Sequence, residues 1–141
     1  MNDDRAFVDT NVLTYLFDDS EPDKQGLARR LLEHERRELF VSTQVLQELY
    51  VSLIKGREPI AAPEVAERAV REAAGYSVVQ VDTSLVFAAI ETAREHRLSF
   101  WDALIIRAAA CASCAAVLSE DLSEGQVIEG VRVENPFASV T

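Results

Sequence analysis

Five short apolar runs, each too brief to be a helix, recur along the chain with amphipathic stretches between them. This alternation narrows the fold more than any other feature of the sequence. The runs are Ala6-Phe7-Val8, Leu39-Phe40-Val41, Val78-Val79-Gln80-Val81, Ala115-Ala116-Val117-Leu118 and Val131-Arg132-Val133. Between them apolar residues fall at helical spacing: Leu13, Leu16 and Phe17, then Leu27, Leu31 and Leu32, then Leu46, Leu49, Tyr50, Leu53 and Ile54. Further helices are expected over 63–74, from Asp82-Thr83 to about Arg97, and from Ser99 through the apolar run 103–110. Pro22 suits a first helical turn, and Gly56 and Gly75 suit helix ends. Strands alternating with helices predict an α/β fold, a three-layer α/β/α sandwich around a five-stranded parallel sheet with right-handed crossovers. With 141 residues and no linker, repeat or low-complexity block, a single domain over 1–141 is expected.

The charge balance excludes some classes. A formal net charge of −10 disfavours a DNA-coating or membrane-surface protein, both of which are usually basic. It leaves open an enzyme that meets nucleic acid through bound cations. No apolar run approaches the roughly 18 residues of a membrane span, and Met1-Asn2-Asp3-Asp4-Arg5 has no leader character. A soluble cytoplasmic protein is the expectation. Cys111 and Cys114 are the only cysteines. They are expected as reduced, small, buried helix-packing residues, because a redox pair normally opens a helix and this pair falls near a helix end. His34 and His96 lie in charged stretches and do not complete a zinc set.

In such sheets ligands bind outside the carboxyl ends of the strands, where strand order reverses. Four acids are predicted on that edge. Asp9 ends the first strand and Asp121 follows the fourth. Asp102 opens the helix feeding the fourth strand, and Glu48 lies within two turns of the start of the helix after the second. Helical side chains lean toward the N-terminus, so Glu48 reaches the same edge. If the fourth strand pairs beside the first, acids 39, 54 and 19 residues apart in sequence converge on one crevice. Singly, each has an ordinary reading: Asp9 and Asp102 as caps, Glu48 as a solvated helix residue, Asp121 as a turn former. It is their predicted coincidence on one edge that points to chemistry. Clustered carboxylates raise one another's pKa unless a cation offsets them, and oxygen-only ligands select Mg²⁺ or Mn²⁺. One or two such ions could activate water against a phosphate ester.

Four segments resemble the motifs of PIN-domain nucleases: Phe-Val-Asp9-Thr-Asn11-Val-Leu, Val-Leu-Gln-Glu48-Leu-Tyr, Ser99-Phe-Trp-Asp102-Ala-Leu-Ile-Ile and Leu-Ser119-Glu-Asp121-Leu. The resemblance runs from Phe7 to Phe137, and in size the chain is similar to VapC-like toxins of type II toxin–antitoxin pairs. It implies strand order 3-2-1-4-5 and Mg²⁺- or Mn²⁺-dependent hydrolysis of RNA phosphodiesters leaving a 5′-phosphate. It implies Asp9, Glu48, Asp102 and Asp121 as metal-binding and catalytic acids, with Asn11 and Ser119 orienting them by hydrogen bonds. A cognate antitoxin and a homodimer are further implications. The sequence departs from the family pattern after the fourth motif: Leu122-Ser123-Glu124-Gly125 brings no aromatic, so the rim is expected to differ.

Three other readings are weighed beside it: a PIN-fold nuclease that is no toxin, a metal-free interaction module, and an aspartate-nucleophile phosphatase. The last needs a second Asp two residues after the first, where this chain has Asn11. Trp101 is expected as a core anchor rather than a base-stacking surface. Arg29-Arg30, Arg36-Arg37, Lys55 and Arg57 are the best basic groups, and could hold phosphates if they line the crevice.

Overall fold

A computed structural model describes residues 2–140. The elements run β1 (Asn2–Val8), α1 (Thr10–Tyr15), α2 (Pro22–His34), β2 (Glu38–Ser42), α3 (Thr43–Ile54), α4 (Pro63–Ala73) and β3 (Ser77–Val79). They continue through α5 (Thr83–His96), α6 (Phe100–Cys111), β4 (Cys114–Leu118), β5 (Val127–Ile128) and β6 (Val131–Glu134). One sheet has the order β3-β2-β1-β4-β6-β5. β1 lies between β2 and β4, parallel to both, with Phe7 opposite Phe40 on one side and Val117 on the other.

The helices start where the side chains allow. Asp9 accepts from the Thr10 amide, Ser42 from Val45, Asp82 from Leu85 and Ser99 from Asp102, so four helices begin on a polar cap. Pro22 and Pro63 sit in the first turns of α2 and α4, where a missing N–H costs nothing. Gly56 follows α3 at φ 87°, a left-handed position that only glycine enters freely.

The core sits on both faces of the two central strands. Ala6, Phe7 and Val8 are fully buried, and all five residues of β4 are buried. A strand covered on both faces reads as a continuous apolar run, which is why these two were visible in the sequence.

The structure corrects the strand count. The sheet has six strands, because Val127–Ile128 forms a two-residue antiparallel partner to β6. So short a strand, joined by a tight turn at Gly130 (φ 78°), has no periodicity to detect. The cysteines are corrected too. Cys111 is exposed at the end of α6, and Cys114 is buried in β4 rather than in a helix. Burial pushes the Cys114 thiol up to about 12. Among the described residues no helix is long and apolar enough to cross a membrane.

Candidate active site

Strand order reverses between β1 and β4, and backbone bonds at the carboxyl ends tie β4 to both of its neighbours, β1 and β6. The Asp9 amide donates to the Leu118 carbonyl at 3.0 Å, and the Ser119 amide to the Glu134 carbonyl at 3.0 Å. Asp9 and Ser119 therefore leave the sheet side by side. The Ser119 hydroxyl donates to Asp9 Oδ2 at 2.7 Å and accepts from the Asp121 amide at 3.1 Å. Asn11, one residue into α1, points back at the same place. Its amide nitrogen donates to Asp121 Oδ2 at 3.1 Å, with longer contacts of 3.4 Å to Asp9 Oδ2 and Ser119 Oγ. Its Oδ1 accepts from the Glu120 amide at 3.1 Å. Two side chains thus tie the first motif to the fourth.

Glu48 and Asp102 arrive from helices. Thr10, which opens α1, donates its hydroxyl to Glu48 Oε1 at 3.1 Å. Asp102 lies in the first turn of α6, its backbone fixed by the Ser99 cap. Burial is the largest influence on Asp9, Glu48 and Asp102, and it raises all three. Asp9, only 5% exposed, is held at about 6 despite the hydrogen bonds from Ser119 and Thr10. Repulsion from Asp121 adds to each of the three rises. Among the described residues none of the four acids has an ion-pair partner. Asn11, Thr14, Tyr15, Glu48, Lys55 and Asp121 line an open cleft of about 380 Å³ at this edge.

A sequence model of the PIN domain matches residues 6–123. The chain belongs to the PIN-domain family. Its fold resembles Mycobacterium tuberculosis VapC20, a Sarcin–Ricin loop cleaving toxin, with 25% identity over 82% of this chain and 91% of that one, at a TM-score of 0.67. A toxin–antitoxin complex from Klebsiella pneumoniae aligns at 19% identity over 93% of this chain and 97% of the other, TM-score 0.70. DNA-bound VapBC from Salmonella typhimurium aligns at 22% identity over 94% and 98%, TM-score 0.65. These two likenesses are of fold. No curated protein sequence is significantly similar to the chain.

In this PIN domain the sequence reading missed two side chains beside the acids. Thr10 holds Glu48, and Gln44 lies one helical turn before Glu48, its Nε2 donating to the Trp101 carbonyl at 3.2 Å. The i, i+4 spacing of Gln44 and Glu48 was the signal for the second. Gln44 Oε1 is buried without a partner. Trp101 is a correction: it stands 61% exposed rather than in the core. Arg37 is committed elsewhere, to Glu35 and Glu134, and of the basic groups singled out, Lys55 lines the cleft. His96 lies 3.7 Å from Glu129, and Glu95, His96 and Glu129 bring donor atoms within 4.8 Å of one another. Arg107, 3.1 Å from the same carboxylate, already neutralises it.

Proposed function

We propose that this PIN domain is a divalent-metal-dependent endoribonuclease and the toxin of a toxin–antitoxin pair. The observation that carries the reading is the meeting of Asp9, Glu48, Asp102 and Asp121 at the β1–β4 switch point with no ion-pair partner among the described residues. The donor set fits a hard cation, since it offers carboxylate oxygens and neither thiolate nor imidazole. Asp9, Glu48, Asp102 and Asp121 would hold Mg²⁺ or Mn²⁺, which supplies charge neutralisation and an acidified water for phosphodiester hydrolysis.

The chain's own residues do the rest. Ser119 and Asn11 fix the rotamers of Asp9 and Asp121, so the carboxylates are aimed before any ligand arrives. Thr10 does the same for Glu48. Burial of Asp9 keeps its environment of low polarity, which strengthens its attraction for a cation once water is excluded. An acidic crevice of this kind is complementary to a basic side chain from an antitoxin. A homodimer is the expected assembly, and Phe87 and Ile90 are exposed apolar residues on α5 that suit a contact between copies.

The test is cleavage of a panel of structured and unstructured RNAs with Mg²⁺ or Mn²⁺, comparing wild type with Asp9→Asn and Asp102→Asn. Cleavage by wild type alone, abolished by chelator, is expected. Equal activity in the three proteins would overturn the assignment.

A further inference from the structure

Beside the acidic cleft lies a second depression of about 410 Å³, lined by Gln44, Gln47, Glu48, Val51, Ser52 and Trp101. Glu48 and Ser52 line both hollows. The two hollows therefore adjoin at α3 and form a groove in two parts, Trp101 bordering one, Asp121 and Lys55 the other, and Glu48 standing between them. Trp101 is 61% exposed, an unusual position for so large an aromatic side chain. It is nonetheless held in place. Its ring stands edge-on to Phe100 with centroids 5.1 Å apart at 76°, and Phe100 packs against the core. Its carbonyl is bonded by Gln44, and the next residue is Asp102. Lys55 caps α3 seven residues past Glu48, roughly 10 Å along the helix. Among the described residues it makes no ion pair and is the one cation lining the cleft.

We propose that Trp101 is the stacking platform for an unpaired nucleobase of the RNA laid across the acids, with Lys55 holding a backbone phosphate at the far end of the groove. The inference rests on the reading of the acids as an RNA-cleaving centre and names how that centre takes its substrate. A flat aromatic face accepts any base, while a cation accepts the phosphate that every nucleotide carries. A duplex keeps its bases stacked inside, so an exposed indole selects single-stranded or looped RNA. A second copy of this chain is the less suited occupant of the groove. Its exposed large apolar side chains there are Trp101 and Val51, flanked by glutamines and an acid, whereas a stable interface needs about 800 Å² per partner with an apolar centre.

Trp101 is the sole tryptophan of the chain, so its fluorescence reports this ring alone. The experiment titrates the full-length Asp9→Asn protein with fluorescein-labelled oligouridylate and oligoadenylate, and with a duplex of equal length. Label anisotropy reads binding and indole emission reads stacking. Binding of the single strands with quenched emission, and no quenching by the duplex, is expected. Trp101→Ala and Trp101→Leu should weaken binding roughly 5- to 100-fold, with Trp101→Phe within a few-fold of wild type. Lys55→Ala should weaken all sequences alike and lower the salt slope by about one. Circular dichroism checks that each variant is folded.

Anisotropy change with unaltered emission, equal binding by Trp101→Leu and Trp101→Phe, or no binding of any oligonucleotide would overturn the proposal. So would a concentration-dependent dimer that Trp101→Ala converts to monomer, since the ring would then belong to an interface. The cleavage assay with the otherwise wild-type chain separates the two readings. RNA cleavage with a silent indole refutes stacking and leaves the nuclease. Quenching by single strands without cleavage under Mg²⁺ or Mn²⁺ refutes the nuclease and leaves the stacking site.

Discussion

Glu120 follows Ser119 in the chain and Asp9 accepts the Ser119 hydroxyl, yet their surroundings treat the same carboxylate chemistry in opposite ways. Glu120 meets Lys24 at 2.7 Å and the Tyr15 hydroxyl at 2.6 Å. Burial works to raise it, but those two partners hold it below the usual carboxylate range. Glu134, between Arg37 and Arg132, is lowered in the same way against its own burial. Among the described residues Asp9, Glu48 and Asp102 have hydrogen-bond donors but no ion-pair partner, and all three are raised. Around Glu129 the donor atoms are drawn closer together than in the cleft, yet Arg107 already occupies that carboxylate. Tight clustering alone does not distinguish the two groups; the unbalanced charge that the fold maintains at a cost does.

The largest effect expected from breaking this contrast is at Asp9. Asp9→Asn should reduce RNA cleavage by about 10²-fold or more, comparable to the loss of one preorganised electrostatic group. The same variant should be more stable than wild type in chelator at pH 7.5. Its Oδ1 can still cap α1, and it carries no charge to bury. The sign follows from linkage. Asp9 has an ordinary value of 3.8 and a folded value of about 6, so the native state keeps a proton that the unfolded chain has lost between these values. Wild-type stability from this group is thus full below about pH 4 and declines as pH rises to 6 and beyond, by about 3 kcal/mol in all. Thermal melts at pH 4 and 7.5 check it: the advantage of the variant should be present at the higher pH and absent at the lower.

Metal addition comes next. Saturating Mn²⁺ should raise the wild-type melting temperature, by the equivalent of about 2.7 kcal/mol at one hundred times the dissociation constant. Asp9→Asn and Asp102→Asn should lose most of that rise and Glu129→Gln none of it. The reverse pattern would move the cation to the Glu95–His96–Glu129 group and break the comparison.

A smaller effect is expected on the paired side. Arg37→Met leaves Glu35 and Glu134 each without its main cation, and should cost about 1–2 kcal/mol in denaturant unfolding while RNA cleavage is unchanged. Smallest in stability, Ser119→Ala removes the hydroxyl that lowers Asp9. Cleavage should fall about 10- to 100-fold, and the acid limb of its pH profile should move to higher pH, a shift that a merely weakened fold would not give.

How much of this was legible follows from where the signals lie. β1 and β4 are apolar along their whole buried length, so their ends, and the acids after them, could be placed. The caps Asp82 and Ser99 were equally plain, because a polar residue ahead of an apolar run has a local cause. β5 was not legible, being two residues that pair only because β6 folds back on them. Trp101 was misread because hydrophobicity predicts burial on average, and nothing local says that one position of α6 faces the groove. Thr10 and Gln44 were within reach, as a hydroxyl opening a helix at the acidic edge and a side chain one turn from Glu48. That Arg37 is spent on Glu134, 97 residues away, could not be read from either segment.

The pairing of β1 with β4 also sets a clock. Asp9, Glu48 and Asp102 are all translated before β4, the strand that lies directly beside β1 and brings Ser119 and Asp121. A chain still being synthesised carries three of its four acids with an open strand edge where β4 belongs, and neither Ser119 nor Asp121 to complete the cleft. Elongation at about 5–20 residues per second takes about 1–4 seconds to cover the stretch from Asp102 to Asp121. On the proposed reading, the nuclease centre is thus incomplete until the central strand pairs beside β1.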